Sequence, residues 1–175
     1  MAMIEFTVEF DDHVVSARLA ELVNRLTDTG PFLDAVGLHL VEQAGENFRG
    51  QHDPDGTPWA PLRPSTIKAR EKAGQVPLTI LRRNSKTGSS LAGSINHELT
   101  GNDGVRIGSP VIYAAIHQFG AAQGQFGASM GKDKLGRDHF HHLPWGDIPA
   151  RPFLGVGQDD EAEILHLAEI WLEDN

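Results

Sequence analysis

No cysteine occurs in the 175 residues, so a disulfide framework, a thiolate metal site and a cysteine nucleophile are all excluded. Nor is there a run of ~18 apolar residues such as a membrane span requires. Met1 to Phe10 carries Glu5 and Glu9 and no basic stretch of the kind that opens a secretory leader. Together these absences point to a soluble protein made in a cytoplasm, with no membrane partner. The motifs of several catalytic classes are missing too: no Gly-x-Ser-x-Gly elbow, no P-loop, no Gly-x-Gly-x-x-Gly opening a helix after a strand, no His-Glu-x-x-His. Asp53 and Asp55 are the one pair of neighbouring carboxylates worth weighing, and nothing flanks them that would push their pKa values apart. The expectation is a chain that is not an enzyme and needs no cofactor or metal.

What is present begins with charge. Fifteen basic residues face 24 acidic ones, for a formal net charge of −9. The distribution is uneven: Arg63, Lys68, Arg70, Lys72, Arg82, Arg83 and Lys86 lie in one stretch beside a single acid, Glu71, whereas Asp159 to Asp174 holds seven acids and no base. An acidic body does not suit general nucleic-acid binding, which draws its affinity from neutralised phosphates. The basic middle reads as a solvated helix face, with local DNA contact as the alternative.

Along the chain, Ile4, Phe6, Val8 and Phe10 alternate with polar residues, as in a half-buried strand. Asp11 or Asp12 can cap a helix whose Val15, Leu19, Leu22 and Leu26 share one face. Pro31 suits the first turn of a second helix, with Phe32, Val36, Leu40, Ala44 and Phe48 on one face and Gly50 as its stop. The short link Thr27 to Gly30 predicts that these two helices pack together. Gly50 to Pro64 contains four prolines and is a turn-rich loop, in which Trp59 is expected to tuck inward and pin the loop to the helices. Asp53-Pro54-Asp55-Gly56 forms a turn; it also resembles the start of a calcium loop, but position twelve is Pro64 and not Glu. Ser65 can cap a short helix running to Lys72, with Ile67 as its apolar contact. Ser89 to Ile95 predicts one helical turn leading into a strand through Leu99, and Gly101-Asn102-Asp103-Gly104 turns it back into Val105-Arg106-Ile107-Gly108. Val111 to Phe119 has the length of a short helix with Gly120 as its cap, though Val111, Ile112 and Tyr113 would suit a strand too. Residues 121–147 are glycine-rich and without periodicity, and are expected to be a long mobile loop. A final helix starts near Asp159, its first turn acidic, with Ile164, Leu165, Ala168, Trp171 and Leu172 as the apolar face. One domain, 1–175, accounts for all of it.

Just before that helix lies Ile148-Pro149-Ala150-Arg151-Pro152-Phe153-Leu154-Gly155. Two prolines three residues apart exclude helix and leave an extended, stiff path. Phe153 and Leu154 can anchor one side in a core, while Arg151, planar and permanently charged, can be presented to a partner carboxylate. The same residues also suit a buried strand that ends in a turn.

Nine histidines, including His139, His141 and His142, raise a metal hypothesis, with His117 as a fourth ligand for a metal-dependent hydrolase or nuclease. Against it, His141 and His142 are adjacent and point apart on a strand, and a lone histidine at a helix end is more often packed than ligating. A third alternative is a regulatory DNA-binding module using the basic stretch.

The ordered set Asp53-Pro54-Asp55-Gly56-Thr57-Pro58-Trp59-Ala60-Pro61-Leu62, Thr87-Gly88 with Leu91 and Ser94-Ile95, Val105-Arg106-Ile107-Gly108, Tyr113-Ala114 with Ile116-His117-Gln118-Phe119-Gly120, and Ile148 to Gly155 resembles the phage virion morphogenesis family, the tail completion proteins, which also occur in prophages. A polar insert, Arg82 to Lys86, departs from the family pattern. The resemblance implies an α+β fold, with two N-terminal helices and one C-terminal helix packed on a small, mainly antiparallel sheet. It implies a structural protein of the virion tail or neck, assembled in the bacterial host cytoplasm, that finishes the head-proximal end of the tail and helps join head to tail. Expected partners are further copies of the chain in a ring, tail-tube and head-tail connector proteins, and no sequence-specific nucleic acid. The expected assembly interface is Pro149, Arg151, Pro152 and Phe153 together with His117 and Phe119.

Overall fold

A computed structural model of the chain describes residues 12–82, 90–132 and 135–173. The strand expected over Ile4 to Phe10 lies outside these residues, as does most of the polar insert after Arg82. The elements in order are α1 (His13–Thr27), α2 (Gly30–Gly50), α3 (Pro64–Lys72), a single 3-10 turn (Ala92–Ser94), β1 (Asn96–Leu99), β2 (Val105–Gly108), α4 (Ala114–Phe119), β3 (Ala128–Lys132), β4 (Asp138–His142) and α5 (Gln158–Glu173). This is an α+β chain with helices at both ends, its strands arranged as two separate antiparallel hairpins, β1–β2 and β3–β4.

The scaffold is α2. Its predicted stripe faces inward, with Val36, Ala44 and Phe48 buried, and Phe48 joins Trp59, Leu91, Ile95, Ala114 and Phe153 in the core. The rings of Phe48 and Phe153 lie 5.0 Å apart and tilted, and Trp59 meets Phe48 edge-on at 5.6 Å, the offset and perpendicular arrangements that aromatic quadrupoles favour. The β1–β2 hairpin, in the register Asn96↔Gly108 through Leu99↔Val105, lies across α2 at Gly37, where an added Cβ would collide with the rings and methyls of His97 and Val105. α2 ends one residue later than expected, because Gln51 itself takes the left-handed conformation, φ 59°. Its amide group then accepts from Ile80 N at 2.7 Å, tying the incoming chain to the helix end. Pro64, not Ser65, sets the start of α3: it occupies the first turn, where its missing N–H is no loss.

Two expectations about the helices fail for one reason: α2 has its inner faces already taken. α1 does carry Val15, Leu19, Leu22 and Leu26 on one face, but it buries none of its residues and forms no packed face with α2. It is held at its C-terminal end, where Arg25 donates to the Trp171 carbonyl at 2.8 Å and Asn102 bonds to the Thr27 carbonyl. On α5 the residues turned inward are Asp160, Ile164, Leu167, Ala168 and Trp171, while Leu165 and Leu172 face solvent. Trp171 stacks on Phe32 of α2 at 5.5 Å. Asp160 reaches back to the Gly157 N–H at 2.8 Å, in the manner of a capping box, and its other oxygen bonds His39 of α2 at 2.9 Å.

The segment 121–147 is not without regular structure, as the sequence had suggested. Ala128 to Lys132 pairs with Asp138 to His142 over five residues each, and Ala121 bridges Ile148 at the base. The alternation that betrays a strand is written only where one face is buried, and here nearly every strand residue is exposed on both faces.

Candidate assembly surface

The proline-stiffened rim and the Ile116-to-Gly120 motif form one strapped unit. Pro149 and Pro152 have no N–H to satisfy, and eight other backbone groups between Ile148 and Leu154 are caught by neighbouring segments. Ala121 and Ile148 exchange hydrogen bonds at 2.9 and 2.7 Å, and Arg151 N donates to the His117 carbonyl at 2.8 Å. Gln118 then does what a neighbouring strand would do: its oxygen accepts from Phe153 N and Leu154 N at 3.0 and 3.1 Å, and its nitrogen donates to the Leu154 carbonyl at 2.7 Å. Asn47 of α2 donates to the Phe153 carbonyl at 3.3 Å, and the Trp59 indole donates to the Pro152 carbonyl at 2.7 Å. Gly120, with φ +75°, must be glycine, since a Cβ there would sit 2.8 Å from both Ala150 N and the Ile148 carbonyl.

Of the six residues expected at an assembly interface, the structure places only Phe119 fully at the surface, 78% exposed. Phe153 is 1% exposed in the core, and Pro149 and Pro152 are half-buried. At 7% exposure the Arg151 guanidinium turns inward and donates to the carbonyls of Ala60 and Pro61 at 2.9 and 3.1 Å. Burial, and after it the charge of Arg70, lower its pKa, yet an arginine this shifted remains a cation. The segment acts from inside, as the clasp that holds α2, the Trp59 loop and α4 together.

His117 is half-buried beside this clasp, and its Nδ1 is buried without a hydrogen-bond partner. Burial, and behind it the Arg151 cation, hold its pKa below the usual 6.5. Above about pH 6.5 the ring is neutral in both folded and unfolded chains. Below it the unfolded chain takes up the proton first, so this group's contribution to stability is lost as pH falls. His117→Gln is therefore expected to narrow the difference in unfolding free energy between about pH 7.5 and about pH 5, measured by urea titration.

The histidines of the metal hypothesis are not brought together. His139 and His141 share one face of β4, their rings 4.7 Å apart, and His141 stacks on Trp145 at 4.8 Å. His142 points to the other face, over Gly124, and His117 packs its edge on Tyr113. Among the described residues no group of three or more His, Asp or Glu is placed to hold a metal ion.

What the surface does offer is apolar. Among the described residues twenty-one large hydrophobic side chains are exposed, and twelve of them lie on α1 or between Phe119 and Trp145. Sequence reasoning missed Met130, Phe140 and Trp145 as surface features and Gln118 as the strut of the rim. The available signals were large apolar side chains in a glycine-rich stretch, and a glutamine set inside a recognised motif.

Across residues 10–173 the chain matches the phage virion morphogenesis family. It belongs to that family. It is also 33% identical, over 165 residues, to "Putative capsid assembly protein G" of Escherichia phage Mu, a match that takes in 93% of this chain and 90% of the Mu protein. No solved structure matches. The resemblance of the ordered motifs is thus borne out over nearly the whole length, and the role is a structural one in phage morphogenesis, in a virion-associated protein. For this family member the motifs have a physical meaning: the Trp59 loop, the Gln118 motif and the proline rim are the parts that bond to one another. No helix among the described residues is long and apolar enough to cross a membrane.

Proposed function

We propose that this morphogenesis protein completes the head-proximal end of a phage tail and prepares it to join the capsid, working as a ring of identical subunits that meets tail-tube and connector proteins. The observation that carries the reading is apolar surface left bare among the described residues: α1 buries none of its side chains, and Phe119, Met130, Phe140 and Trp145 are exposed. A rigid, internally strapped centre that leaves whole apolar elements bare is what a subunit awaiting neighbours looks like. Two unlike bare elements on one chain favour a head-to-tail contact, and such contacts close into rings when the rotation allows. The net charge of −9 suits a passage through which DNA moves without sticking. The work is done by fit between surfaces and needs no turnover.

Particles from a phage or prophage lacking the gene test this by electron microscopy. Filled heads beside unjoined or over-long tails are expected. Intact, infectious virions would overturn the proposal. Misshapen or missing heads would favour a second reading, a role in capsid assembly itself, which the name of the Mu relative supports.

A further inference from the structure

We propose that the basic face of α3 in one copy of this chain docks on the acidic outer face of α5 in the next copy, Lys68 and Lys72 against Glu169 and Glu173. The inference rests on the ring reading above and names one contact within it. Arg63, Lys68, Arg70, Lys72 and Arg82 lie on or beside α3, with Glu71 as the one acid among them. Arg70 spends its guanidinium on the Thr79 and Arg82 carbonyls at 2.7 and 3.3 Å, and Arg63 donates to the Asp147 carbonyl at 2.6 Å. Carbonyls do not neutralise a cation. Among the described residues no carboxylate forms an ion pair with any of these five. α5 is the opposite case: it holds no lysine or arginine, and its outward face carries Glu161, Leu165, Glu169, Leu172 and Glu173, all exposed. Glu169 has only His166, 3.9 Å away, and Glu161 and Glu173 form no ion pair among the described residues.

α2 keeps the two clusters apart. Arg70 of α3 holds the Thr79 carbonyl, and the next residue, Ile80, donates to Gln51 at the C-terminal end of α2. The Glu169 to Glu173 end of α5 lies toward the other end, where Trp171 stacks on Phe32. Phe32 and Gln51 are about 28 Å apart along the helix axis, so the opposite charges cannot meet within one chain. Between copies they match in spacing: Lys68 and Lys72 are four residues apart on α3, as are Glu169 and Glu173 on α5, and each pair shares a face with a step of about 6 Å along its axis. Exposed ion pairs add little affinity one at a time, but matched faces steer the encounter and fix which surfaces meet. The lysine stems can also cover Leu165 and Leu172 on the same face of α5. Charge is what makes the occupant a second copy. DNA would answer the basic face but not the acidic one, and a chain of net charge −9 repels it. Another copy answers both, and two unlike faces make the contact heterologous, as ring closure requires.

Charge exchange in the full-length chain tests this by sedimentation. Lys68→Glu with Lys72→Glu, and separately Glu169→Lys with Glu173→Lys, are each expected to weaken self-association at least tenfold. All four side chains are exposed, so the melting temperature of either variant should stay close to that of the parent chain. Mixing the two variants is expected to restore assembly, since each then offers the other an opposite charge at both faces. The fourfold variant, with the charges exchanged in one chain, should assemble by itself. For the parent chain, raising the salt from about 0.05 M to about 0.5 M should weaken association, because exposed charges are screened. Oligomers indifferent to both reversals would overturn the contact and leave the ring standing. Loss in both variants without recovery in the mixture or in the fourfold variant would overturn the pairing of these two faces. Binding of a DNA duplex that Lys68→Glu with Lys72→Glu abolishes, with self-association untouched, would give the basic face to nucleic acid and overturn it as well. A parent chain that stays monomeric at every concentration would overturn contact and ring together.

Discussion

Trp59→Ala is expected to lower the unfolding free energy by about 4 kcal/mol, the range found when a buried aromatic is truncated to alanine. The indole is 6% exposed, meets Phe48 edge-on and donates to the Pro152 carbonyl, so its removal opens a void beneath the loop and leaves that carbonyl without its donor. Stabilities of single domains run from ~5 to ~15 kcal/mol, so the loss would take a large share of the total. Trp59→Phe separates the two parts: it keeps most of the packing and forfeits the hydrogen bond, and should cost about 1 kcal/mol. Urea titration of the purified chain reads both. A loss for alanine no larger than for phenylalanine would mean that the ring does not fill the core.

Arg151→Ala is the second, with an expected loss of about 3 kcal/mol. The charge-assisted bonds to Ala60 and Pro61 each contribute more than neutral ones, and the stem packs within the clasp. Arg151→Lys keeps the charge but not the fork that reaches two carbonyls, so it should recover only part of the loss. A quite different result, an unchanged unfolding midpoint with weakened self-association, would put the guanidinium at a subunit contact after all. The inward turn of Arg151 makes stability the expected readout.

Much of the fold was legible. The stripe of α2, the Trp59 loop, the turn at Ala92–Ser94 within the expected Ser89 to Ile95, and the hairpin through Gly101 to Gly104 lie where periodicity and turn chemistry put them. Each is a local pattern that records a buried face or a required backbone angle. The misses fall where no such record exists. Leu165 and Leu172 were assigned to the buried face of α5 because a helix's apolar residues are normally its inner ones, yet they are among those left to solvent. The β3–β4 hairpin was hidden because strands exposed on both faces have no alternation to show.

Two facts about this protein were settled by residue order alone: its family, through motifs spread from the Trp59 loop to the proline rim, and its lack of cysteine chemistry. Which way Arg151 points, and which apolar stripes go uncovered, were decided by tertiary structure. The guanidinium is claimed by carbonyls some ninety residues away, and α1 stays bare because α2 has already given its faces to β1–β2 and α5. A sequence can state that a side chain needs a partner; where that partner comes from is set by which surfaces the rest of the chain has left open.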